Sequence, residues 1–368
     1  MMNKKLFITI LILVILIVLV VVFGMQKQKK ESVKIGGLFG LTGFASFAGE
    51  ASRNGFIMAI EDSDIEVDYV IEDFESDLAK VATAAHKLID VDKVDVVIGP
   101  EWNEFAEVVA PIAAVNKMLF ISPWMTGEGD VFSSGYYFSA TASERLETQK
   151  LLDYIVSQSI KEIAVIYTNN AWSVDYVRVL EEEAEKRSLV IKKKLMVNQS
   201  ETDFRTEIVK IKEVDPDAIY VVMATDNTQG LLSKQLKEQG IFYQVFVPFS
   251  RAESDVVLDN FGEYVNGIIY PAPKKNKNAE AFREKYQNRF GKEPTAISAA
   301  TAYDMTILVL QAIKQGAKNT EDIRNFLLQV ENYDGYSNLI TFSKEGRVAS
   351  EEVIIKQISG KNPKILVE

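Results

Sequence analysis

VVIGPEWNEF, residues 96–105, sets the pattern for the chain. A short apolar run reaches Gly99-Pro100, and a helical stretch follows over 103–115. A strand that hands over to an amphipathic helix is half of a βαβ unit. The same alternation continues on both sides. Apolar strands are expected at 34–39, 66–71, 94–98, 118–121, 162–167, 189–197, 217–222, 244–247 and 264–270. Helices are expected at 48–62, 76–89, 103–115, 144–158, 174–187, 203–213, 227–239 and 278–289. Short apolar strands separated by amphipathic helices make parallel sheets covered on both faces. Two such series emerge, about 33–122 and 144–270, with YYFSAT (136–141) between them. A helical stretch at 296–330 and late strands at 336–342 and 352–359 complete the chain. The fold class is therefore α/β, with two doubly wound parallel-sheet lobes.

In open parallel sheets, ligands bind beyond the carboxyl ends of the strands. The three tryptophans fall there: Trp102 after VVIG, Trp124 after LFISP, Trp172 after AVIYTNNA. Two readings fit. The rings pack loops together, or they line a cleft between the lobes, where indoles offer broad faces and one N–H donor.

Composition excludes much else. The 368 residues include no cysteine, so disulfides, thiolate metal sites and a cysteine nucleophile are out. His86 is the only histidine, which removes a histidine-based triad and a multi-histidine metal site. No metal or cofactor is expected. Net charge is −11; residues 1–30 hold five lysines and no acid, which leaves −16 on 31–368. Such a body repels phosphate backbones, so nucleic acid is not an expected partner. GGLFGLTG lacks the spacing of a phosphate-binding glycine loop. Glu101, Asp130 and Asp226 could pair across a cleft, but no spacing demands it, and the chain is not read as an enzyme.

Residues 6–23, LFITILILVILIVLVVVF, carry Thr9 as their only polar side chain. As a helix they span ~27 Å, close to a bilayer core. The run is longer than the apolar part of a signal peptide, and Val22-Phe23-Gly24 is a mediocre cleavage site. An uncleaved N-terminal transmembrane helix is expected, with a cleaved signal and a secreted or periplasmic product as the alternative.

KIGGLFGLTGFASFAGEASRNGFIMAI (34–60) has a strand, then Leu41-Thr42-Gly43, then a helix with Asn54-Gly55. VVIGP (96–100), LFISP (119–123), IAVIYTNNAWSVD (163–175), TAYDMTILVLQAI (301–313) and YDGYSNLITFSKEGRV (333–348) follow in order. Together they resemble the substrate-binding proteins of branched-chain amino acid ABC transporters, the leucine-binding-protein-like group. The resemblance implies a type I periplasmic-binding-protein fold, its two lobes joined by three crossovers. On that pattern residues 33–142 plus 272–333 make one lobe and 143–271 plus 334–368 the other. It also implies an extracytoplasmic monomer that closes on a small molecule and hands it to a membrane permease, or that serves as a sensor.

Site residues follow from the same resemblance. Trp102 and Asn103 stand where the family holds a ligand carboxylate, and Trp124 and Thr126 stand after ISP. Trp172 matches an aromatic on the second lobe, Thr225 a loop contact and Tyr303 a helix aromatic lining the cleft, and the family's turn aromatic falls near Phe47 or Ala48. The chain departs from the pattern after VFVP, where Phe249-Ser250-Arg251-Ala252-Glu253 replaces an acid for the ligand ammonium. An ammonium buried without a carboxylate is costly. An aromatic or apolar carboxylate held by Arg251 and the tryptophans fits these residues better than an aliphatic amino acid.

Overall fold

A computed structural model describes residues 32–127, 130–141, 143–249, 254–274, 276–349 and 352–368. The apolar stretch 6–23 and Arg251 lie outside them. Among the described residues no helix is long and apolar enough to cross a membrane.

In the first half, β1 (Lys34–Phe39), β2 (Asp68–Asp73), β3 (Val96–Ile98), β4 (Leu119–Ser122) and β5 (Tyr137–Ser139) alternate with α1 (Ser46–Asp62), α2 (Leu78–His86) and α3 (Asn103–Asn116). The five strands form one parallel sheet in the order β2-β1-β3-β4-β5. The segment 136–141, expected only to separate the two series, supplies its edge strand.

The second half runs α4 (Glu144–Ser157), β6 (Glu162–Thr168), α5 (Ala171–Lys186), β7 (Val190–Val197), α6 (Arg205–Val214), β8 (Ala218–Val222), α7 (Asp226–Glu238), β9 (Gln244–Phe246), α8 (Asp255–Val265) and β10 (Ile269–Pro273). These strands pair in the order β7-β6-β8-β9-β10 and repeat the first arrangement. Two late strands, β13 (Val353–Gln357) and β14 (Lys364–Val367), add antiparallel at the β10 edge. α8, absent from the expected helices, starts at Ser254, whose side chain accepts from the Val257 amide.

Between β10 and β13 lie α9 (Ala279–Phe290), α10 (Ser298–Lys314), α11 (Thr320–Leu327) and a short hairpin of β11 (Tyr333–Asp334) and β12 (Leu339–Ile340). The single helical stretch expected at 296–330 is broken after Lys314. Gly316 takes φ +105°, and the Asn319 side chain caps the next helix by accepting from the Asp322 amide.

Alternating side chains feed two cores in each lobe, as the period of a strand dictates. In β3, Val96 and Ile98 join α10 on one face while Val97 joins α3 on the other. In β6, Ile163 and Val165 face one layer, Ala164 and Ile166 the other. The chain passes between the sheets after β5, after β10 and between β12 and β13. Ile340, Phe342 and Val348 pack into the first sheet's core beside Ile323 and Leu327. Residues 334–348, expected with the second lobe, therefore pack on the first, because their apolar side chains complete the layer under α10 and α11.

Candidate functional site

Both sheets share a topological switch point, where consecutive crossovers leave to opposite sides and open a crevice beyond the strand ends. In the first sheet it lies between β1 and β3, in the second between β6 and β8. The loops after these strands and the first turns of the helices that follow carry Phe44 and Phe47, Trp102, Trp172 and Thr225. α3 starts at the end of β3 and α5 at the end of β6, and Asp175 of α5 is near enough to Glu107 of α3 to help raise its carboxyl pKa, after burial.

The first turn is pinned from below. The Leu41 amide and the Thr42 hydroxyl donate to the Asp73 carboxylate at 2.9 Å each. Gly43 takes φ +81°, and a Cβ there would lie 2.8 Å from the Glu75 carbonyl oxygen. That turn lifts Phe44 and Phe47 into solvent, 61% and 43% exposed. Such large rings left open mark a binding surface more often than a packing one.

Trp102 sits at φ 71°, ψ 149°, a region that L residues other than glycine rarely occupy. Its amide donates to the Trp124 carbonyl at 2.7 Å, which ties the two tryptophan loops together. Ring centroids of Trp102 and Trp124 are 6.4 Å apart at 87°. Phe47 is 5.9 Å from Trp102 and 6.4 Å from Trp124, and Phe44 is 5.1 Å from Trp102. On the second lobe Trp172 lies 5.0 Å from Tyr176 and 6.3 Å from Phe249. Trp102→Gly should therefore be more stable than Trp102→Ala by about 1–2 kcal/mol in chemical denaturation, the reverse of the usual order, since only glycine accepts this backbone freely.

The polar candidates are already engaged. Asn103 Oδ1 accepts from the amides of Thr126 (3.2 Å) and Gly127 (3.1 Å), and its Nδ2 donates to Glu144 Oε1 at 3.0 Å. The Thr126 hydroxyl donates to that same oxygen at 3.0 Å, and the Glu144 amide returns a bond to the Thr126 carbonyl. Glu144 is fully buried. Burial and then the nearby Asp175 push its carboxyl well above the ordinary range, against the pull of Asn103 and Thr126. The two side chains expected to grip a ligand carboxylate thus hold an internal acid, and with it fasten the end of the first lobe to the first turn of α4. Thr225 caps α7: its hydroxyl accepts from the Thr228 amide at 3.2 Å.

Tyr303 is not brought to the rings. Its hydroxyl donates to Asp62 at 2.8 Å at the far end of α1, and its ring meets those of Phe282 and Tyr336 edge to face. It lines a separate concavity of about 350 Å³ with Asn278, Ile307 and Tyr333 to Tyr336. A second, of about 490 Å³, lies between α3 and residues 130–134. Neither includes a tryptophan.

Phe44, Phe249 and Glu144 were not among the expected site residues. The first two had a signal, since each stands in a loop already singled out. Glu144 had none, because an acid in a helix's first turn is commonplace.

The profile of the periplasmic binding protein family matches residues 32–362. The fold resembles a leucine binding protein from Thermotoga maritima MSB8, with a TM-score of 0.76 at 23% identity over 90% of this chain and 97% of that one. It also resembles a branched-chain amino acid transporter substrate-binding protein from Streptococcus pneumoniae, solved with isoleucine, with a TM-score of 0.74 at 23% identity over 92% of this chain and all of that one. Glutamate receptor 2.2 of Arabidopsis thaliana is 22% identical over 266 residues, 69% of this chain and 29% of the receptor. The chain spans less than a third of the length of the curated relatives named here. The family and these structures are binding proteins rather than enzymes, in agreement with the reading of the sequence. Because the family match runs into both sheets and through all three passages between them, leaving out only the last strand β14, the chain belongs to the periplasmic binding protein family.

Proposed function

We propose that this chain is an extracytoplasmic solute receptor, held at the membrane by residues 6–23, that closes its two lobes on a small molecule and delivers it to an ABC transporter permease. The observation that carries the reading is the set of rings at and beside the two switch points: Phe47 and Trp102 with Trp124 of the neighbouring loop on one lobe, Trp172 on the other. The solute's apolar or aromatic body lies between them. Closure follows from its touching both walls at once, since a ligand shifts an equilibrium only by its differential contacts. The passages after β5 and β10 act as hinges, and the receptor works as a monomer.

The solute that co-purifies with the chain is to be identified by native mass spectrometry and titrated back by calorimetry. Trp124→Ala and Trp172→Ala should each weaken it roughly tenfold to a hundredfold, as for aromatic anchors in general, with unchanged circular dichroism. Tyr303→Phe should leave affinity as it was. Unchanged affinity in both tryptophan variants rejects the site. The likeness to plant glutamate receptors favours a second reading, in which closure is sensed by a partner and nothing is transported. Uptake into proteoliposomes carrying the permease separates the two.

A further inference from the structure

We infer that the head group recognised in this gap is a monovalent organic cation of the alkylammonium kind, not a carboxylate. The inference rests on the receptor reading above and adds the charge of its solute.

The first ground is the shape of the ring cluster. The centroids of Phe47, Trp102 and Trp124 close a nearly equilateral triangle, with sides of 5.9, 6.4 and 6.4 Å. Trp124 stands at 84° to Phe47 and 87° to Trp102, so the three rings do not stack as a flat sandwich for an aromatic guest. A cation over the middle of the triangle lies within ~6 Å of all three centroids and is attracted by each ring whose face it meets. Phe44 adds a fourth ring at the same mouth.

The second ground is what became of the donors. A ligand carboxylate needs N–H or O–H groups directed at it. Asn103 Nδ2 and the Thr126 hydroxyl, the side chains placed to supply them, both donate to Glu144 Oε1. The protein's own carboxyl takes both donors. An entering anion would have to displace a buried acid from two hydrogen bonds.

The third ground is the surrounding charge. Glu104 and Glu107 lie on the first two turns of α3, Asp175 on the second turn of α5, and Asp226 on the first turn of α7, all just past the carboxyl ends of strands. Among the described guanidinium groups, Arg178 is held by Asp175 and Glu182 and Arg145 by Glu182 and Glu183, while Arg347 is turned to the Thr126 and Gly127 carbonyls and the face of Phe132. With −16 on residues 31–368, the field favours a cation before any contact is made.

The test uses the full-length chain in detergent, titrated with choline, with 3,3-dimethylbutan-1-ol and with phenylacetate. The first two have nearly the same shape and differ by one positive charge. Choline should bind roughly tenfold or more tightly than the alcohol, weaken as salt is raised, and outcompete phenylacetate. Trp124→Leu, which keeps apolar bulk and loses the ring, should abolish that preference, while Trp124→Phe should retain part of it. Equal binding of choline and the alcohol overturns the inference, as does tighter binding of phenylacetate. In either case a solute still binds, and the receptor reading stands. A chain that binds none of the three and carries no solute on native mass spectrometry overturns both.

Discussion

Gly55→Ala should destabilise the first lobe by about 3 kcal/mol or more, the upper end of what overpacking costs, although it adds one methyl group to a helix. The reason is the approach of α1 to α10. A Cβ on Gly55 would lie 2.0 Å from the Ala299 carbonyl oxygen, 2.9 Å from its carbon and 3.2 Å from the Tyr303 amide nitrogen. All three are backbone atoms, so no rotamer change relieves the clash and one helix must move. Both helices line the core with Phe56, Ala302 and Met305, and a shift large enough to seat the methyl opens that layer along its length. Asn54 next to it is fixed as well, its Nδ2 donating to the Tyr286 hydroxyl at 2.8 Å. The control is Gly262→Ala in α8, where nothing lies within 4 Å of the added atom. There the ordinary gain in helix propensity, about 0.5–1 kcal/mol, should appear. Urea denaturation followed by circular dichroism gives both values, and equal signs for the two variants refute the helix-contact argument.

The Asn54-Gly55 pair also shows how far a sequence can be read. It was visible as a motif, but its cause, a backbone contact with Ala299 some 244 positions away, was not. What the sequence does expose is periodic. The one-in-two alternation of β3 and β6, the helix following each strand and the position of Trp102, Trp124 and Trp172 at strand ends all depend on spacing along the chain. What it hides depends on which distant group claims a polar side chain. Asn103 and Thr126 have the chemistry of ligand donors, and only the fold shows Glu144 taking both. Tyr303 looks the same from sequence whether it turns to the gap or to Asp62. Edges mislead for a similar reason. Strand β5 and the segment 334–348 have weak patterns of their own, and their place is decided by the layer each one completes.

Glu101→Gln should make the protein more stable at pH 8 by about 3 kcal/mol and change little at pH 4. Glu101 stands between Gly99-Pro100, which follow β3, and Trp102, and is completely buried. Neither carboxyl oxygen completes a hydrogen bond. Burial pushes its pKa from 4.5 up to about 7. The native state therefore holds a proton that the unfolded chain gives up near its ordinary value. Between about pH 4.5 and 7 the folded form binds more protons than the unfolded one, so stability falls as pH rises through that window and stays reduced above it. At 1.36 kcal/mol per pKa unit the loss comes to about 3 kcal/mol. Glutamine keeps the shape and has no charge to desolvate, so the variant should escape this loss. Asp304, raised by burial to about 6, titrates in the same direction but is common to both proteins and cancels in their difference. Denaturation of the two proteins in parallel at pH 4, 6 and 8 measures it: a gap that opens with pH supports a carboxyl kept protonated in the fold, and a gap that is constant or closes shows that Glu101 is ionised there and has found a partner.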